Sequence, residues 1–389
     1  MTPAKKTVLV YRNELLPISE TFIKEQILAL EDWRAVLVGR RLLHQLALDD
    51  LDVRIVDPQR TIADRLFWKV GKLVGIMPPA AARALRSEGA RLVHAHFATD
   101  ALDAWPIARA LGLPLLVTLH GYDVNTHREW WEAGNGGARM RLYPRRLLRL
   151  AVQPQVRFLA VSEALRQRAI EFGIPANKVD VSHIGIDTSR FVPGGLPMAQ
   201  RPPRVLFVGR LVEKKGCRYL IEAMAKVQRE LPAAELVVVG DGPLRQELDT
   251  LALRSGVRAT FRGALSSTDV KRELDGSRIF CLPSITASNG DAEGFGLVLL
   301  EAQASGVPVV TSALGGATEG ICEGFTGFSF AEKDVEALAR ILIGLLNDDK
   351  ILAQMAECGA GYVATEFDLV RCTTRLELQY DAICCGPAL

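Results

Sequence analysis

At 389 residues the chain exceeds one typical domain, and about 150 residues per domain predicts two or three. With 49% hydrophobic and 24% charged residues it has the balance of a soluble globular protein, and with no apolar run of about 20 residues it reads as lacking a transmembrane helix. The net charge of +2 is unevenly placed: residues 1–200 hold 27 Lys and Arg against 20 Asp and Glu, while residues 201–389 hold 20 against 25, which predicts two domains with different partners. Aromatic residues are few and no RNA- or DNA-binding motif is present, so no nucleic-acid partner is expected.

The first residues, MTPAKKTVLVYR, lack the long apolar core and the cleavage site of a signal peptide. The seven cysteines form no CxxC pair, and adjacent Cys384 and Cys385 are poorly placed to bridge each other. Reduced thiols in a cytoplasmic protein are therefore expected.

In chain order, strand-like runs are read at 7–12, 35–40, 53–57, 91–97, 114–120 and 156–162, with helical spacing between them. The first strand-to-helix loop, NELLPISETF (13–22), places Ser19, Glu20 and Thr21 at a helix start, a position that also suits a second substrate. His94 and His96 lie in VHAHF and are expected on opposite faces of their strand. His120, at the end of VTLH, is followed by Gly121 and Asp123. There it either donates to a phosphate or sugar hydroxyl or serves the structure alone. No supporting ligand cluster for a zinc ion on these histidines is visible. Arg139, Arg141, Arg145, Arg146 and Arg149 alternate with leucines in ARMRLYPRRLLRLA, either a solvated helix face or a peripheral contact with the anionic inner face of the plasma membrane.

The segment 191–203, FVPGGLPMAQRPP, reads as a linker, and the rhythm restarts with strands at 204–210, 235–242, 257–263, 278–284 and 307–313. Apolar strands alternating with helices predict an α/β chain of two Rossmann-like, doubly wound domains, with the ligand site in the cleft between them. The predicted boundaries are 1–195, 196–368 and a final helical segment, 369–389, with no strand after it.

Four strand ends of the second half bear candidate ligand-binding groups. Arg210 and Lys215 flank the junction after RVLFVG, and two cations beside helix N–H groups suit a diphosphate. The spacing is neither a dinucleotide fingerprint nor a P-loop, which argues against an oxidoreductase. Gly240 and Gly242 of GDGPL permit a tight turn that could bring backbone close to a ligand, and Arg262 and Gly263 end the next strand. Finally GDAEGFGLVLLEAQASG places Glu293 before the Gly294-Phe295-Gly296 turn and Glu301 inside the helix that follows. The two glutamates read as the acid and base of a hydrolase, as two grips on a polyhydroxylated ligand, or as a helix cap and a solvated residue.

Taken together, GRLVEKKG, VVGDGPL, FRG, HIGIDTSRF and above all EGFGLVLLE resemble family 4 retaining glycosyltransferases of the GT-B fold. PISETFIKEQI, VHAHFA and TLHGYDV look like the bacterial exopolysaccharide and colanic-acid type. The resemblance implies that Arg210 and Lys215 hold the donor diphosphate and that Glu301 binds the ribose. It implies that Glu293 and the Gly294, Phe295 and Gly296 amides meet the donor sugar, with Phe295 excluding water, and that the base lies near Arg262 and Gly263. His120 would face the sugar phosphate from the acceptor domain, and the last helix would cross back to that domain. The Gly-rich loop that many members carry after the first strand is absent here, replaced by YRNELLPISE.

The implied reaction moves a hexose from a nucleotide-diphosphate sugar, UDP-linked by preference with GDP-mannose as the other choice, to a lipid-linked saccharide with retention. The cations would replace a divalent ion, so no metal and no cofactor are expected. The Asp-x-Asp of the metal-dependent type matches only Asp50 and Asp52, which precede a strand. Both glutamates come from one loop-helix unit and cannot easily straddle a bond, so front-face transfer without a covalent nucleophile is expected. A non-catalytic nucleotide-sugar binding protein is the alternative.

Overall fold

The computed structural model describes residues 5–17, 20–43, 46–56, 79–194, 196–312 and 315–385. It divides into two compact units, one formed by Met1–Gly185 with Leu369–Leu389, the other by Ile186–Asp368.

The first unit holds strands β1 (Lys6–Leu15), β2 (Trp33–Leu42), β3 (Val53–Ile55), β4 (Ala90–His96), β5 (Leu115–Leu119), β6 (Val156–Ala160) and β7 (Val179–Val181). They lie in the order β3-β2-β1-β4-β5-β6-β7, and the registered pairs are parallel. β4 is buried from Leu92 to His96 and β5 along its whole length because helices cover both faces of such a sheet. The final helix, Leu369–Cys385, belongs to this unit. It buries Leu376 and Tyr380 in a core with Val8, Val10, Trp33 and Leu37. Each such side chain contributes about 1.5–3 kcal/mol on burial. The Glu377 carboxylate accepts from Asp32 N at 2.9 Å and Trp33 N at 3.0 Å, satisfying backbone donors where β2 begins.

The second unit holds β8 (Arg204–Val208), β9 (Glu235–Val239), β10 (Ala259–Gly263), β11 (Ile279–Leu282), β12 (Val309–Ser312) and β13 (Gly327–Phe330), in the order β10-β9-β8-β11-β12-β13. The strand order reverses between β1 and β4 in one sheet and between β8 and β11 in the other. Each unit is therefore doubly wound, with a crevice at the carboxyl ends of those strands. Two short strands, β7 and β13, were not anticipated. The helix Cys217–Glu230 connects β8 to β9, and the last helix runs from Leu369 to Cys385.

Candidate active site

In the second unit the chain leaves β8 through Gly209 and makes a tight 3-10 turn, Glu213–Lys215, before the helix Cys217–Glu230. Gly216 has φ +62°, and a Cβ there would stand 1.8 Å from the Pro283 carbonyl oxygen. Only glycine lets this turn pack against the loop after β11. That contact places Lys215 Nζ 2.5 Å from Glu293 Oε2 and Lys214 Nζ 3.0 Å from Asp291 Oδ2. Ser284 Oγ donates to Glu293 Oε2 at 3.3 Å.

The loop between β11 and its helix is fastened at several points. Ile285 N donates to Lys214 O, Thr286 N to Glu332 Oε1 and Ser288 N to Glu213 Oε1. Gly296, with φ +82°, is the N-cap of the helix Leu297–Ala304. Burial alone would raise the Glu293 carboxyl, but the Lys215 and Lys214 ammonium groups more than reverse this and hold it below the usual carboxylate range. Burial raises Asp291, against the pull of Lys214.

The other expected site residues fall as follows. Arg210 is exposed and makes no ion pair among the described residues. Gly242 is packed against the backbone after β8, where a Cβ would meet Leu211 O at 2.5 Å, so the close approach it permits here is to the protein's own chain. Arg262 and Gly263 end β10. The Arg262 Nε lies 3.2 Å from Glu273 Oε1, and Gly263 accepts from Gly240 N at 2.7 Å. Glu301 lies inside the helix Leu297–Ala304, partly buried. Gly294 and Phe295 precede that helix, and the Phe295 ring is buried against Phe367, 5.4 Å between centroids.

In the first unit, Ser19 lies outside the described residues. Glu20 is the N-cap of the helix Thr21–Leu28 but makes no side-chain cap. Its carboxylate instead grips Arg12 through two bonds, Nε–Oε2 at 2.9 Å and Nη2–Oε1 at 2.6 Å. Arg12 Nη1 also reaches Asp100 Oδ2 at 2.5 Å and His96 O at 3.3 Å. This buried triad was not anticipated, although an arginine ending the apolar run TVLVY was its visible sign. Burial pushes the Asp100 carboxyl up to about 6 despite Arg12.

The expectation that His94 and His96 point to opposite faces is wrong. Their ring centroids are 4.4 Å apart, because residues two apart on a strand share a face. His94 lies between Tyr380 Oη and Thr118 Oγ1, each at 2.7 Å. His96 Nδ1 meets His120 Nε2 at 3.1 Å. The His120 ring packs against Phe97, 4.4 Å between centroids, and Phe97 itself has φ +68°, a strained backbone for a residue with a side chain. Burial lowers all three imidazoles, His94 to about 3, with Arg12 pushing His96 and His120 further in the same direction. Asp50 and Asp52 take separate cations, Lys24 at 2.9 Å and Arg34 at 2.7 Å.

Two family models tile most of the chain: "Glycosyltransferase Family 4" matches residues 40–190 and "Glycosyl transferases group 1" residues 193–361. The second contains the paired lysines and acids described above. The chain belongs to glycosyltransferase family 4. It is 34% identical over 212 residues to the amylovoran biosynthesis glycosyltransferase AmsK of Erwinia amylovora, 54% of this chain and 52% of that one. It is 36% identical over 194 residues to a GDP-mannose-dependent monoacylated alpha-(1-6)-phosphatidylinositol monomannoside mannosyltransferase of Corynebacterium glutamicum, 47% of this chain and 51% of that one. These matches thus span about half the length of the curated relatives. Among solved structures, Anabaena HepE in complex with UDP and glucose superposes with a TM-score of 0.77 at 21% identity, covering 96% of this chain and 99% of that one. This places the family 4 chain in the GT-B fold. Among the described residues no helix is long and apolar enough to cross a membrane.

Proposed function

We propose that this family 4 glycosyltransferase transfers a hexose from a nucleotide-diphosphate sugar to a saccharide or lipid-linked oligosaccharide in exopolysaccharide or lipopolysaccharide synthesis. The observation that carries the reading is the Lys215–Glu293 pair at the strand-order reversal of the second unit, on the same β8-to-helix connection that carries the exposed Arg210. Cleaving the anomeric bond builds negative charge on the leaving diphosphate and positive charge on the sugar. Arg210 and Lys215 answer the first charge and Glu293 the second. A diphosphate oxygen competes with Glu293 for Lys215. The released carboxylate then accepts from donor sugar hydroxyls while Glu301 meets the ribose and the Arg262–Gly263 strand end the base. His120 serves the same reaction from the first unit.

The transfer retains configuration and runs by front-face attack without a metal. The leaving diphosphate accepts the acceptor's proton, the acceptor oxygen bonds to the anomeric carbon, and the sugar–phosphate bond breaks. A UDP-sugar is the favoured donor, in line with the UDP-bound HepE neighbour. GDP-mannose is the second choice, from the mannosyltransferase relative. The exposed arginines 139, 141, 145, 146 and 149, with exposed Leu142 and Val152 nearby, suit peripheral attachment to an anionic bilayer on the cytoplasmic side.

Thermal-shift screening against UDP, GDP, ADP and their sugars tests the donor, since a ligand of the native state raises its melting temperature. The matching sugar nucleotide is then supplied with acceptor, with and without EDTA, and the product's anomeric configuration is read by NMR. Inversion, a glycosyl adduct trapped on Glu293, or loss of turnover with EDTA would overturn the mechanism.

A further inference from the structure

We infer that His96 is a positioning residue that fixes the tautomer and ring orientation of His120. This rests on the reading of His120 as a residue of the transfer reaction. Strands β4 and β5 are registered with His96 opposite Thr118, so His120, two residues on, emerges just beyond the strand ends while His96 stays inside. His96 is 1% exposed and His120 partly buried. The contact at 3.1 Å joins His96 Nδ1 to His120 Nε2. Arg12, held by Glu20 and Asp100, donates to the His96 carbonyl, and its guanidinium packs on the Phe97 ring, which in turn lies against His120.

His96 is buried and His120 partly buried beside that cation, and with their pKa values lowered both imidazoles are neutral at pH 7. Between two neutral rings an N–H···N bond has one donor and one acceptor. The proton carried by His96 therefore decides whether His120 Nε2 accepts or donates. That choice fixes the opposite role for the second nitrogen, Nδ1, the atom left to meet a ligand. The stack behind it is anchored: His94, against the His96 ring, is held by Thr118 and by Tyr380 of the last helix. The last helix thereby supports the imidazole row at the end of β4 and β5 as well as the apolar core.

Three variants and one spectrum test this. In His96→Leu the ring partner is lost. The kcat is expected to fall on the order of 10²-fold, the loss a misplaced catalytic group produces, with donor KM unchanged. In His96→Asn the side-chain amide reaches the Nδ1 position and is expected to restore most of the kcat. Two-bond ¹H–¹⁵N correlation of the His120 ring is expected to show one tautomer in the native protein and in His96→Asn, and an averaged pair of nitrogens in His96→Leu. Averaged nitrogens in the native protein, or a native kcat in folded His96→Leu while His120→Ala loses turnover, would overturn the inference and leave the transferase reading standing. If His120→Ala retains native turnover, the role of His120 in the reaction falls and the positioning role falls with it. The spectrum needs no turnover, so it decides the tautomer question even if no donor sugar is transferred at all.

Discussion

Lys215 Nζ and Glu293 Oε2 lie 2.5 Å apart although 78 residues separate them in the chain. Their side chains are 15% and 10% exposed, so neither charge is well solvated without the other. Lys215→Met is expected to destabilise the second unit by about 3 kcal/mol, the cost of leaving a buried carboxylate without its main partner. The double variant Lys215→Met/Glu293→Gln is expected to recover most of that stability and none of the turnover. Urea unfolding alongside a donor-consumption assay separates the two effects, and an additive double variant would show that the pair is not a unit.

Arg210 behaves in the opposite way. It is exposed and without an ion pair among the described residues, so Arg210→Ala is expected to change stability by no more than about 0.5 kcal/mol. Turnover is expected to fall on the order of 10²-fold or more, the loss seen when one charge-stabilising donor is removed. A variant that unfolds instead would assign Arg210 to the fold.

The Arg12 triad predicts a structural effect in the first unit. Removing the guanidinium in Arg12→Met leaves the Glu20 and Asp100 carboxylates buried together, and a loss of about 3–5 kcal/mol is expected. Neutralising the partners in Arg12→Met/Glu20→Gln/Asp100→Asn is expected to return part of it, measured by urea denaturation.

His94 makes stability depend on pH. Folding lowers its pKa from 6.5 to about 3, so the unfolded chain takes up the proton first and stability is lost as pH falls below 6.5. One proton is worth about 1.4 kcal/mol per pH unit within that window. His96 and His120 act in the same direction. Asp100, raised from 3.8 to about 6, acts in the opposite direction between those values and offsets one proton's worth. Glu20, Asp123, Asp291 and Glu377, also raised by burial, act with Asp100, so the difference between variants is the test: His94→Gln is expected to remove about one proton's worth of the loss below pH 6.5. An unchanged slope in that variant would show that His94 does not control the effect.

Gly216→Ala probes the turn that carries Lys215. With positive φ and a carbonyl oxygen 1.8 Å from the new Cβ, the backbone must shift, at a cost above about 1 kcal/mol. Turnover is expected to be lost in a folded protein because Lys215 moves with the turn. Structure determination of the variant checks the displacement.

Much of the fold was legible because a buried parallel strand leaves an apolar run of five or so residues between helical patterns, as RVLFV and ELVVV do. Val179–Val181 and Gly327–Phe330 escaped because they are short edge strands, one with an aspartate at its centre and the other interrupted by glycine and serine. The candidate site was legible as a set of strand ends bearing cations, glycines and carboxylates. Which of those groups meet was not. Asp291, at the bond to Lys214, looks from the sequence like any loop acid.

The sequence by itself determined the alternation of strand and helix, and that Lys214, Lys215, Asp291 and Glu293 would each follow a strand. Those properties are local, set by apolar periodicity and by the residue types that end a helix or strand. Tertiary structure alone decided that β8 and β11 are neighbours, which brings those four side chains into two ion pairs. It also turned Glu20 inward to Arg12 and stacked His94 on His96 against the last helix. Charge pairs and ring stacks form between groups distant in the chain, and strand order governs them more than spacing does.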